Sequence, residues 1–142
     1  MHIFVTVGTT EFNELIQTIS SPEICKMLRD NGRYTSITIQ IGKGAFEPVD
    51  DDTYLTMNHF RLKPTITEEM KKAELIISHA GAGSIFEALS LKKKVIAVVN
   101  ESLMDNHQRE LGEVLDRENN LVMTTYQKLH ELFSNRDFFT NR

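Results

Sequence analysis

Leu75-Ile76-Ile77-Ser78-His79-Ala80-Gly81-Ala82-Gly83-Ser84-Ile85-Phe86-Glu87-Ala88-Leu89 is the stretch that decides the fold. Residues 75–77 are continuously apolar and end at a serine, the pattern of a parallel strand buried on both faces. Small residues then run to Gly83, and from Ser84 the chain reads as a helix. Strand, glycine-rich turn and helix in this order form half of a βαβ unit.

The same alternation extends in both directions. Further strands are predicted at 3–7, 35–41, 56–62, 95–99 and 121–123, each short and rich in β-branched residues. A helix after Thr10 carries Phe12, Leu15, Ile16 and Ile19 at helical spacing. Ser21-Pro22 stands as N-cap and first-turn proline of a second helix, which stops at Asn31-Gly32, where the glycine takes a left-handed cap. Thr65-x-x-Glu68 reads as a capping box opening a helix through Met70 and Ala73. Helices are also predicted at 84–91, 106–115 and 126–133. The pattern implies one α/β domain over residues 1–142, Rossmann-like, with a parallel sheet of about six strands and helices on both faces.

Composition narrows the function classes. A chain of 142 residues suits one core. Its net charge of -4 argues against a nucleic-acid binder. A single cysteine, Cys25, rules out an internal disulfide. The apolar run at 3–7 is too short for a signal-peptide core, and no stretch approaches the ~20 residues of a membrane span. The expectation is a soluble, cytoplasmic protein without a transmembrane segment of its own.

Ligands of open parallel sheets sit beyond the carboxyl ends of the strands. Three such ends carry chemistry here. Gly8-Thr9-Thr10 can offer backbone N–H groups to a phosphate, although a Gly-Thr turn also serves as local capping. It lacks both the G-x-G-x-x-G spacing and a Walker lysine, which disfavours NAD and ATP. His79-Ala80-Gly81-Ala82-Gly83-Ser84 allows close backbone approach to a ligand; the bland alternatives are a Ser84-x-x-Glu87 capping box and a core histidine bonded to backbone. Asp105-Asn106-His107-Gln108 is again a possible capping box, yet the Gln108 carboxamide suits hydrogen bonding to sugar hydroxyls. A receiver-type regulator is disfavoured because no aspartate ends the first strand. Lys92-Lys93-Lys94 is read as a solvated helix end.

These motifs together resemble a known family. Phe4-Val5-Thr6-Val7-Gly8-Thr9-Thr10, Gln40-Ile41-Gly42-Lys43-Gly44, Arg61-Leu62-Lys63-Pro64, the 78–84 loop, Glu87-Ala88-Leu89, Val98-Val99-Asn100-Glu101 and Met104-Asp105-Asn106-His107-Gln108 are similar to eukaryotic UDP-N-acetylglucosamine transferase catalytic subunits. The bacterial transferases that make lipid II are more distantly similar. Asn13, Lys92 and Gly112 depart from that pattern, which usually has aspartate, glycine and alanine there. The resemblance implies the donor-binding lobe of a two-lobed GT-B, inverting glycosyltransferase that uses neither metal nor other cofactor. Its donor would be UDP-N-acetylglucosamine and its acceptor N-acetylglucosamine-diphosphate-dolichol, presented by a membrane-anchored acceptor-lobe partner at the cytosolic face of the endoplasmic reticulum. It further implies that Gly8, Thr9 and Thr10 lie near the donor diphosphate, with His79, Gly81, Gly83 and Ser84 looped around it. Glu87 would hold the ribose, and Asn106 and Gln108 the sugar ring. The catalytic base is not identified, His79 being a weak local candidate. The last helix would cross to the partner through Phe138 and Phe139; docking on its own sheet is the alternative. The rival function is a non-catalytic nucleotide-binding or interaction module of the same fold.

Overall fold

The computed structural model describes residues 1–99 and 121–140. Six strands form one sheet: β1 (His2–Thr6), β2 (Ser36–Gln40), β3 (Thr56–Phe60), β4 (Leu75–His79), β5 (Lys94–Val99) and β6 (Leu121–Thr125). Their order is β3-β2-β1-β4-β5-β6, and every neighbouring pair is parallel. This is the doubly wound arrangement of a Rossmann-like domain, as the sequence pattern implied.

Strand alternation divides the core in two. Ile3 and Val5 of β1 face a cluster with Leu15, Ile16, Ile24 and Leu28, contributed by α1 (Asn13–Ile19) and α2 (Pro22–Asp30). Phe4 points the other way, toward Met70 of α3 (Thr67–Lys72) and Ile85 and Ala88 of α4 (Ala82–Ser90). Phe4 is fully buried and stacks on Phe60, ring centroids 6.3 Å apart. Burying a side chain of this kind contributes about 1.5–3 kcal/mol, so the two layers hold the sheet from both sides.

Several local expectations are corrected. The first helix begins at Asn13 rather than directly after Thr10, because Thr10 turns back, its N–H and hydroxyl both donating to the Val7 carbonyl at 3.2 and 2.8 Å. Ser21 does cap α2, accepting from the Ile24 N–H at 3.4 Å. The left-handed residue after α2 is Arg33, at φ 61°, not Gly32. Gly32 is needed for room: a Cβ there would lie 2.8 Å from the Tyr34 ring. The Thr65–Glu68 capping box does not form, since Ile66 holds the N-cap position and Thr65 Oγ1 accepts instead from the Thr67 N–H. The fourth helix starts at Ala82, so Ser84 lies inside it and cannot cap it.

Lys92 takes the left-handed conformation, φ 60°, that glycine usually supplies. The strain, ~1–2 kcal/mol, is offset by two closing hydrogen bonds, Lys92 N–H to Leu89 and Lys93 N–H to Ala88. Beyond β6 the helix predicted at 126–133 is split into a 3₁₀ turn (Tyr126–Lys128) and α5 (Leu129–Ser134), and a further short helix, α6 (Arg136–Thr140), follows. Phe139 packs on Tyr34 and Phe133, centroids 6.1 and 5.9 Å apart, and both Phe138 and Phe139 are half-buried against the chain's own core. The last helix thus docks on its own domain, at the amino end of the sheet. The predicted helix at 106–115 lies outside the described residues. Among the described residues, no helix is long and apolar enough to cross a membrane.

Candidate functional site

The chain leaves β1 toward β2 on one side and leaves β4 toward β5 on the other, so a crevice opens between the carboxyl ends of β1 and β4. Beneath it runs a row of buried polar side chains. Gln40, Thr6 and Ser78 are 3%, 0% and 0% exposed, and they are lateral neighbours in the sheet register. Thr6 Oγ1 donates to Gln40 Oε1, accepts from the Gly8 N–H at 3.0 Å, and so ties the loops after β1 and β2 to one platform. Ser78 Oγ donates to the His79 carbonyl at 2.7 Å. Sequence reasoning missed this row. Its signal was available: three central strands each carry a polar residue at or next to their end, two or three residues before a glycine.

His79 ends β4 with its ring wedged between the loops. A Cβ on Gly8 would lie 3.0 Å from Cε1, and one on Gly81 only 2.2 Å from Nε2. Nδ1 is buried and, among the described residues, has no hydrogen-bond partner. The alternative of a core histidine bonded to backbone holds for one side of the ring, which meets the Thr6 backbone, while Nδ1 is left over. Burial pushes its pKa down, while the Thr6 backbone facing the ring pulls the other way; the net shift is downward, which favours the neutral ring. Leaving a buried nitrogen unpaired costs about 1–3 kcal/mol, a strain that clusters at ligand sites.

The glycines divide by cause. Gly8, at φ 63°, and Gly81 make space for the imidazole. Gly83 does not, for a Cβ there would meet nothing within 4 Å among the described residues. It lies in the first turn of α4, where Ile85 N–H makes the first intrahelical bond, to Gly81 at 3.3 Å. The N–H groups of residues 82–84 precede that bond and point at the crevice. Open space over helix-start donors is what close approach of an anion requires.

The loop after β2 forms the opposing wall. Gly42, at φ 64°, leaves room for the Thr10 carbonyl, which accepts from the Lys43 N–H at 3.0 Å. Arg61 Nη1 donates to the Gly44 carbonyl at 2.9 Å. Asn13 Oδ1 accepts from the Phe46 N–H at 3.2 Å, a role an aspartate oxygen fills equally, so this departure from the family pattern leaves the wall intact. Of the three candidates after β1, Thr10 spends its hydroxyl on Val7, whereas Thr9 is exposed. Glu87 shares an α4 face with Gly83 and Ser84, and its Oε2 accepts from Thr67 Oγ1 at 2.5 Å. Asn106 and Gln108 lie outside the described residues.

Fold and crevice define a Rossmann-like domain with helix-start N–H groups at its strand switch point. The sequence matches the glycosyltransferase family 28 C-terminal domain over residues 2–137, and the chain belongs to that family. It is 41% identical over 129 residues to the human UDP-N-acetylglucosamine transferase subunit ALG13, covering 89% of this chain and 11% of that protein. With the Yarrowia lipolytica protein of the same name it shares 34% over 125 residues, covering 86% of this chain and 63% of that one. The chain therefore spans a minor part of the human relative and less than two thirds of the yeast one. Among solved structures, the NMR structure of ALG13 superposes with a TM-score of 0.68 at 26% identity, covering 90% of this chain and 81% of that one. Acinetobacter baumannii MurG gives 0.70 at 20% identity, covering 99% and 43%, a likeness of fold: the chain has the shape of one GT-B lobe.

Proposed function

We propose that this chain is the donor-binding subunit of an inverting N-acetylglucosaminyltransferase. It moves N-acetylglucosamine from UDP-N-acetylglucosamine to N-acetylglucosamine-diphosphate-dolichol in N-glycan precursor assembly. The acceptor lobe belongs to a membrane-anchored partner that recruits this chain to the cytosolic face of the endoplasmic reticulum. The reading is supported by the relatives' names and by one observation above all: among the described residues, nothing fills the space over Gly83, and Nδ1 of His79, in the same loop, has no partner.

In this proposal the acceptor hydroxyl attacks the sugar's anomeric carbon as its bond to the diphosphate breaks. Negative charge grows on the departing UDP. The N–H groups at 82–84 and the positive end of α4 stabilise that charge without reorganising, so no metal is called on. Thr9 and Ser84 add hydroxyl donors, and Glu87 accepts from the ribose. Asn106 and Gln108 are assigned to the sugar ring. His79, held between two loops and favoured as the neutral ring, orients the diphosphate loop; the base that takes the acceptor's proton is assigned to the partner.

The test is titration of the full chain with UDP-N-acetylglucosamine, followed by amide NMR shifts. Shifts concentrated at 79–84, with affinity about 10–100-fold weaker in Glu87→Ala, are expected. Absence of shifts, or an unchanged Glu87→Ala titration, would instead support a non-catalytic interaction module.

A further inference from the structure

Glu87 does not stand alone at the rim. Thr67, the first residue of α3, is half-buried against α4 and donates its hydroxyl hydrogen to Glu87 Oε2 at 2.5 Å. A hydroxyl has one hydrogen, and that of Thr67 is spent on Glu87. The Thr65–Thr67 hydroxyl contact, 3.1 Å, then has one possible polarity: Thr65 donates to Thr67. Thr65 Oγ1 is in turn set by the Thr67 N–H at 3.3 Å. The three side chains form a one-way relay, Thr65 to Thr67 to Glu87, whose bonds polarise one another.

The relay engages one carboxylate oxygen, Oε2, and leaves Oε1 outside this chain of bonds. The Glu87 carboxylate caps neither helix, because Ile66 and Gly81 hold the N-cap positions of α3 and α4 without a side-chain bond. We infer that Thr67 is a positioning residue for nucleotide recognition. It holds the Glu87 carboxylate in the one rotamer that presents Oε1 to a vicinal diol, with Thr65 behind it. The inference rests on the ribose role proposed for Glu87 and names the group that makes it selective.

The experiment compares binding of UDP and 2′,3′-dideoxy-UDP to the full chain and to Thr67→Val and Thr67→Ser. The unaltered chain should prefer UDP by about tenfold or more, Thr67→Ser should keep that preference, and Thr67→Val should reduce it to about twofold. A merely structural role would weaken both nucleotides alike. Thr67→Ala, with no branched carbon at the helix start, replaces the valine variant if its amide spectrum shows unfolding. Thr65→Val should lower the preference in the same direction by less. A Thr67→Val or Thr67→Ala protein that is folded and keeps the full preference overturns the relay while leaving the ribose role standing. Equal binding of the two nucleotides by the unaltered chain overturns both.

Discussion

Gly81 backs so closely onto His79 that a methyl group on residue 81 would sit 2.2 Å from Nε2. Two residues further on, a methyl at Gly83 would touch nothing within 4 Å among the described residues. The two glycines of one loop thus answer to different demands, one from the fold and one from the space above it.

Substitution should separate them. Gly81→Ala must displace the imidazole and is expected to cost about 1–3 kcal/mol of stability along with nucleotide binding. Gly83→Ala, inside a helix, should raise stability by about 0.5–1 kcal/mol yet weaken UDP binding. Urea denaturation read beside a UDP titration checks both, and a Gly83→Ala protein that binds normally would remove the ligand from this turn.

His79 gives a pH signature. Its folded pKa is depressed, by burial first, below its unfolded value of about 6.5. The sign follows: its contribution to stability is present above about pH 6.5 and is lost as pH falls through the folded value. The His79 Cε1 proton, followed by NMR, should titrate below pH 6.5 in the free chain and at higher pH with UDP bound, since the diphosphate favours the charged ring.

His59 behaves oppositely. Burial of its ring lowers the pKa, but hydrogen bonds to Asp50 (2.7 Å) and Glu47 (3.1 Å), with their charges, outweigh it and leave it raised. Arg61, also beside Glu47 at 3.7 Å, is the competing cation. Stability from this clamp is full below about pH 6.5 and disappears as pH rises through the folded value. Amide exchange across residues 45–53 should accelerate over that interval, and His59→Gln should flatten the change.

Phe139 closes the amino end of the sheet over a small cavity of ≈ 30 Å³ that also touches Tyr34, Leu75, Lys94 and Val122. Phe139→Ala is expected to cost about 1–3 kcal/mol, less than a fully buried phenylalanine, in urea denaturation. Removal of residues 134–142 should destabilise the chain before it affects any partner; if stability is untouched and partner binding alone is lost, the helix serves the partner instead.

Strand positions, helix periodicity and the doubly wound class were legible in the linear chain, because the period of apolar residues reports which faces must be buried whatever they are buried against. The Ser21 cap of α2 was legible too, being a bond between residues three apart. Other local signals misled where distant partners competed for the same atoms. Thr65 and Ser84 fit capping boxes by spacing, yet Ile66 and Gly81 hold the cap positions. Thr67, which no motif singled out, reaches Glu87 twenty residues away in sequence. The row of Gln40, Thr6 and Ser78 exists only once three strands are set side by side in one register. By itself the sequence determined which segments form strands and helices and that glycine-rich turns follow the strands, since those depend on neighbours along the chain. The tertiary structure decided which glycine serves His79 and which leaves space, because only packing brings residues 8, 79 and 81 into contact.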